Sequence, residues 1–179
     1  FGERPVTDAL FEALPATLLL AFVAMGLAMV LGITLGLWLA WRGDGKLAQW
    51  VIGLATLGMS APSFFVAILV AWLFGFVWHD WTGLPATGGW RVLHPFDGPQ
   101  VAWNHLVLPA LTLGIRPLSV VIQLMRNAAQ DVLDEAYVRT AKAKGVTGFR
   151  LLSRHVLRNA LNPVLTAASG WFASMLAGA

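Results

Sequence analysis

Arg116 is the residue with the plainest chemical consequence. It is the one charge inside the otherwise uncharged run Asn104–Met125. Near mid-helix in a bilayer a guanidinium costs roughly 2.5–3.5 kcal/mol on translocon scales. It must therefore face a bundle interior or a wet cavity, or snorkel toward the nearer surface, with Met125 about 14 Å further along a helix. In the first role its fork of donors could serve an anionic group such as a carboxylate. Pro117 follows it and predicts an opened turn at Arg116, because a residue before proline is biased away from helical dihedrals. A second polar interruption is Pro62, in the uncharged run Ala48–Trp78, with Gly58, Ser60 and Ser63 around it. Proline removes a helical hydrogen bond, so a kink is expected. Two readings remain: a structural kink satisfied by the hydroxyls, or an opened helix lining a polar path. Ser60, Pro62, Ser63 and Arg116 are the candidate path residues.

Other chemistry is poorly supplied. His79, His94, His105 and His155 are scattered and form neither HExxH nor HxxxH. That spacing gives no metal centre and no catalytic residue. The chain has no cysteine, which excludes disulfides and thiolate metal sites. Gly45-Lys46 lacks the rest of a phosphate-binding loop: position 40 is alanine and no Ser or Thr follows the lysine. No carboxylate lies within the apolar runs, which speaks against an ion-coupled carrier. A secondary carrier and a polytopic membrane enzyme are the competing functional classes.

The elements that must position these residues are membrane helices. Hydrophobic residues make up 58% of the 179 and charged residues only 12%, about half the soluble norm. Mean hydropathy is +0.70 and the pI is near 10.0. The reading is an all-α, polytopic transmembrane bundle with spans at about 16–41, 48–78, 104–125 and 160–179. The last span ends without a polar flank and the chain starts at Phe1, so an internal fragment is expected. Lys and Arg number 1, 2, 1 and 7 in segments 1–15, 42–47, 79–103 and 126–159. The positive-inside rule then places 42–47 and 126–159 in the cytoplasm and 79–103 outside. The basic residues fall where topology demands them, so the pI is no argument for nucleic acid. In the first span Ala24, Ala28, Gly32, Gly36 and Ala40 recur every fourth residue, with Gly32 and Gly36 making a GxxxG. Such a stripe permits close helix approach, inside the bundle or between subunits.

The 126–159 segment is too regular for a linker. Asp131–Lys144 reads as helix, with Glu135 four residues ahead of Arg139. Gly145 breaks it, and Thr147 is placed to cap a second helix carrying Arg150, Arg154 and Arg158 at every fourth position. That helix could lie on a lipid surface or dock a cytoplasmic partner.

Tyr137-Val138-Arg139-Thr140-Ala141-Lys142-Ala143-Lys144-Gly145, followed by Leu151-Leu152-Ser153-Arg154-His155-Val156-Leu157-Arg158-Asn159-Ala160-Leu161-Asn162-Pro163-Val164, resembles the cytoplasmic loop of binding-protein-dependent ABC transporter permeases. Leu14-Pro15-Ala16-Thr17, Leu84-Pro85-Ala86-Thr87-Gly88 and Leu108-Pro109-Ala110-Leu111-Thr112 agree with it. The general pattern begins Glu-Ala-Ala, six residues before its glycine; here Arg139-Thr140-Ala141 stands in that place. The arginine form resembles the dipeptide/oligopeptide/nickel class, first permease subunit.

The resemblance implies a type I ABC importer permease fold, with one more helix before Phe1 and more chain after Ala179. It implies a multi-pass subunit of the bacterial inner (plasma) membrane that is not itself an enzyme. Its partners would be a second permease, two cytoplasmic ATPases and an extracytoplasmic substrate-binding protein, besides membrane lipid. No cofactor would be held by this chain; ATP and Mg would sit on the ATPases. Arg139, Thr140, Ala141, Lys142, Ala143, Lys144, Gly145 and Val146 would dock an ATPase. The cargo would be peptides or similar small solutes, with nickel chelates and glutathione within the class.

Overall fold

The computed structural model describes residues 6–43, 45–87, 89, 91–94 and 98–178. Phe1, Gly88 and Ala179, which entered the sequence reading, lie outside the described residues, as does the side chain of His94. The described chain is helical apart from one short hairpin. Helix α1 covers Val6–Arg42 and passes through Pro15. It is followed by α2, Lys46–Ser60, and α3, Ser63–Trp72, which runs on as a π-helical turn at Leu73–Val77. After a one-turn α4, His79–Thr82, strands β1 (Arg91–His94) and β2 (Gly98–Val101) pair antiparallel, Arg91 opposite Val101. Helix α5 spans Asn104–Leu133, α6 Ala136–Ala143 and α7 Gly148–Leu151. A second π-helical turn, Leu152–Val156, leads into α8, Leu157–Gly178.

Two helices, Phe11–Arg42 and Asn104–Leu133, are long and apolar enough to cross a membrane; α2 and α3 together make a third if they count as one broken span. Their hydroxyls are hidden locally. Thr17, Thr34, Thr56, Thr112 and Ser119 each donate to the carbonyl four residues back, at 2.7–3.2 Å. This satisfies a polar group without a partner helix. Large apolar side chains such as Trp50, Leu54, Phe64, Ile68 and Phe76 stay exposed. A lipid-facing surface explains them, since hydrocarbon imposes no penalty there.

The chain forms two compact units. The first contains Phe1–Ala24, Ala61–Gly114 and Met175–Ala179. Within it Thr82 Oγ1 donates to the Phe74 carbonyl at 2.7 Å, and His79 Nδ1 lies 3.0 Å from the Leu84 carbonyl. The second contains Met25–Ser60 and Ile115–Ser174. Its core is Ala40, Val121, Met125, Ala129, Val156, Ala160 and Val164, drawn from α1, α5, the second π turn and α8. Leu39, Ala48 and Ile122 form a smaller cluster beside α2.

The small-residue stripe of α1 is buried throughout: Ala24, Ala28, Gly32, Gly36 and Ala40. In the second unit a Cβ on Gly36 would lie 2.7 Å from the Ile122 carbonyl oxygen and 2.7 Å from Met125 Cβ. Gly32 would likewise collide with Val121. Of the two readings of the stripe, packing within the chain's own bundle is the one found. Dispersion between closely approaching backbones replaces the hydrophobic gain that lipid cannot supply.

Several expectations are corrected. The run 48–78 is not one kinked helix: it breaks at Ala61–Pro62, where Pro62 is extended at φ −60° and ψ 133° and precedes α3. The Ser60 hydroxyl goes back to the Thr56 carbonyl, so it does not bridge the break. At Arg116–Pro117 the helix stays closed instead, with Pro117 fully buried; packing overrides the local bias. The third span does not stop near Met125, and no new helix begins at Asp131. Helix α5 continues to Leu133 and closes tightly, with the Asp134 amide shared between the Gln130 and Asp131 carbonyls. Glu135 then precedes α6, and its carbonyl accepts the amides of Val138 and Arg139. Finally, the basic helix expected after Thr147 is not separate. Four residues of α7 merge through the π turn into α8, so arginines 150, 154 and 158 ride on one run with the last predicted span. Helix α8 itself is not among the helices apolar enough to cross a membrane, since Asn162, Thr166, Ser169, Gly170 and Ser174 dilute it.

Candidate functional site

Two polar features stand out from this apolar chain, both within the second unit. The first is the short helix α6 and its exit. Its residues follow a strongly one-sided pattern: Val138 is fully buried while Arg139, Thr140, Lys142, Ala143 and Lys144 are exposed. Ala141 and Val146 are half-buried. The helix terminates in a complete Schellman motif. Gly145 N–H donates to the Lys142 carbonyl at 3.0 Å, and Val146 N–H to the Ala141 carbonyl at 3.0 Å. Gly145 makes this possible with φ +83°, a conformation that favours glycine. Thr147 occupies the residue before α7, as the sequence predicted, although its side chain makes no capping bond.

The result is a rigid, outward knob bearing three cations on one turn and a half of helix. Phe149, 83% exposed, stands just beyond it. Beneath the knob, Val138, Leu151 and Val156 are buried almost completely. Tyr137 is tied to α8 by the Asn159 amide at 2.8 Å. All eight docking candidates, Arg139 through Val146, are thus brought together on one projecting element. A charged, half-apolar knob that is fixed at its root can seat in a complementary groove and move as a body with the helices below.

The second feature is a polar ledge where α5 passes the end of α2. The Arg116 Nη2 donates to the Met59 carbonyl at 3.4 Å. Two turns further on, Gln123 Nε2 lies 3.3 Å from Met59 Sδ and 3.5 Å from Thr56 Oγ1. Ser119 sits between them, buried, with its hydroxyl bonded to the Ile115 carbonyl. Gly58 permits the approach, since a Cβ there would come within 2.6 Å of Ser119 Oγ. Arg116, Met59, Thr56 and Ser60 are exposed, so the ledge opens outward.

Of the four predicted path residues, Arg116 and Ser60 flank Met59 in this ledge. Pro62 and Ser63 lie past the break, in the other unit. Gln123 and Thr56 were missed. The available signal was spacing: Gln123 is seven residues after Arg116, on the same face of an apolar helix. Among the described residues no group of three His, Asp or Glu could hold a metal ion.

Comparison with known proteins identifies the family of the chain. Residues 32–179 match the family model described as "binding-protein-dependent transport system inner membrane component". The chain is 38% identical over 177 residues to a protein named as a peptide transport system permease in Brucella suis, covering 98% of this chain and 54% of that protein. It is 34% identical over 176 residues to the dipeptide transport system permease protein of Bacillus subtilis, covering 97% and 52%. It is 33% identical over 193 residues to the putrescine export system permease protein of Escherichia coli K12, covering 97% and 59%. The chain therefore spans a little over half the length of the curated relatives it matches.

Proposed function

The chain belongs to the family of binding-protein-dependent transport system inner membrane components, and from that premise we propose that it works as the permease subunit of an ATP-driven importer of peptides or similar small solutes. The observation that carries this reading is the knob at residues 136–146: cationic, outward, glycine-closed and anchored by Val138.

In this reading the knob sits in the cytoplasm and docks in a groove on one of two ATPase subunits. ATP and Mg bind there, on the partner chains. When the ATPases close on nucleotide and reopen, the knob moves with its groove. The buried contacts of Val138 and Leu151 and the Tyr137–Asn159 bond pass that motion into α5 and α8. Nucleotide shifts the balance of inward- and outward-open forms only through its different affinity for the two. A second permease subunit completes the path across the bacterial inner membrane. An extracytoplasmic binding protein delivers the cargo to the side carrying residues 79–103. Nickel chelates and glutathione belong to the same size class as peptides and share their polar character.

The test is co-purification and coupled transport by the full-length assembled protein. An ATPase pair should copurify, and ATP should drive uptake of a labelled dipeptide in the presence of the binding protein. Gly145→Asp should release the ATPases while the permease still inserts. Retention of both ATPases and of full coupled uptake by that variant overturns the docking assignment.

A further inference from the structure

Resting on the importer reading, we propose that Arg116, with Gln123 and Thr56 beside it, forms a carboxylate-selecting ledge on the translocation path. The ledge would favour solutes with a free carboxylate over their amides and over diamines.

The argument starts from charge. The apolar runs 16–41, 48–78 and 104–125 contain no Asp or Glu, so Arg116 has no internal counter-ion within the spans. Among the described residues its guanidinium makes a single hydrogen bond, a long one to the Met59 carbonyl, which leaves most of its five donors unused there. Arg116 is nevertheless exposed on this chain, about 18 Å along α5 from Asn104 and about 26 Å before Leu133. Facing hydrocarbon at that depth is costly, so its neighbours must be water, protein or cargo.

The surroundings fit cargo better than a fixed protein anion. Met59 is held at both ends, by Arg116 on its carbonyl and by Gln123 at its sulfur, so it forms a pliable apolar floor between two polar heads. Gln123 spends its N–H donors on Thr56 and Met59, which leaves Oε1 as an acceptor for a ligand N–H. A guanidinium pairs bidentately with a carboxylate, more strongly than with a neutral amide, and repels an ammonium group. The relatives are named for peptides and for putrescine, a carboxylate-bearing cargo and a dication, and the ledge discriminates between those chemistries.

The experiment uses the full-length assembled transporter in phosphatidylcholine nanodiscs, without the binding protein, so that only the membrane path is probed. One cysteine replaces Ser60, beside Met59, with any other cysteines exchanged for serine. Its alkylation rate is measured with dialanine, dialanine amide or 1,4-diaminobutane present. Dialanine should slow labelling about tenfold, as expected of a charge-assisted pair, and the other two by less than about twofold. Arg116→Gln should abolish the protection and Arg116→Lys should retain part of it. Equal protection by the amide or the diamine overturns the proposal, as does undiminished protection in Arg116→Gln, or none by dialanine in the parent. Adding phosphatidylglycerol tests a lipid phosphate as the anion. If that lipid alone protects the cysteine and dialanine adds nothing, the ledge is a lipid site and the proposal falls. Uptake with the binding protein and ATP is measured in parallel. Protection without uptake counts against the importer reading alone; uptake without Arg116-dependent protection counts against the ledge alone.

Discussion

The Asn159 side-chain amide donates to the Tyr137 hydroxyl at 2.8 Å while also donating to the His155 carbonyl at 2.9 Å. Tyr137 is the only tyrosine of the chain, and this bond ties the first turn of α6 to the first turn of α8. Tyr137→Phe should remove it at a cost of about 1 kcal/mol, with Asn159→Leu costing a similar amount. The double variant should be little worse than either single one. Thermal unfolding of the solubilised transporter measures the stability, and peptide imported per ATP measures the coupling. Both variants should lower that ratio while leaving insertion intact; full coupling in both would remove the bond from the transmission route.

Gly145 separates backbone strain from crowding. A Cβ there meets nothing within 4 Å, so any penalty comes from φ +83° alone. Gly145→Asn should be tolerated better than Gly145→Val, because asparagine visits the left-handed region more readily. The valine variant should cost about 1–2 kcal/mol and loosen the Schellman closure. Hydrogen exchange at Val146 reads that closure directly, and equal protection in both variants would contradict the assignment.

Gly36 and Gly26 make a matched pair on α1. A Cβ at Gly36 meets the Ile122 carbonyl oxygen at 2.7 Å, whereas one at Gly26 meets nothing within 4 Å. Gly36→Ala should therefore destabilise by about 1–3 kcal/mol through forced separation of α1 from α5. Gly26→Ala should be neutral or slightly stabilising, since alanine exceeds glycine in helix propensity by roughly 1 kcal/mol. The yield of monodisperse protein after extraction compares them, and equal loss would show that the stripe is not the contact surface.

Orientation is testable because the 179 residues contain no cysteine. Single cysteines at Thr87 and Thr147, both exposed, should label on opposite sides. An impermeant maleimide added to intact cells should reach Thr87→Cys and not Thr147→Cys. The reverse pattern inverts the proposed topology.

The membrane-helix content and the knob were legible from sequence for physical reasons. Long uncharged runs have few alternatives in a bilayer, and a glycine after a helical stretch offers one common exit. Other features depended on contacts between distant segments. Local rules favour an open turn at Arg116, where the structure keeps the helix closed, and leave a kink or an opened helix as alternatives at Pro62, where the helix breaks. Pro117 is buried in α5 and held by its neighbours, whereas Pro62 is exposed and extended ahead of α3. The pairing of Gln123 with Thr56 spans 67 residues of chain, so no local pattern encodes it. The β1–β2 hairpin lies in the stretch 79–103, where polarity predicted only an outer loop.

The π-helical turn at Leu152–Val156 has a consequence for the phase of everything after it. Such a turn carries one residue more than the α-helix it interrupts. Rewinding this turn as α-helix with all its residues kept would rotate α8 by about 100° relative to the knob, the angle of one residue. Val164, now buried in the core, would swing away, and the exposed Pro163 would be carried toward its place. The angular setting between the cationic knob and the core-facing side of α8 is therefore held by the π winding of this one turn.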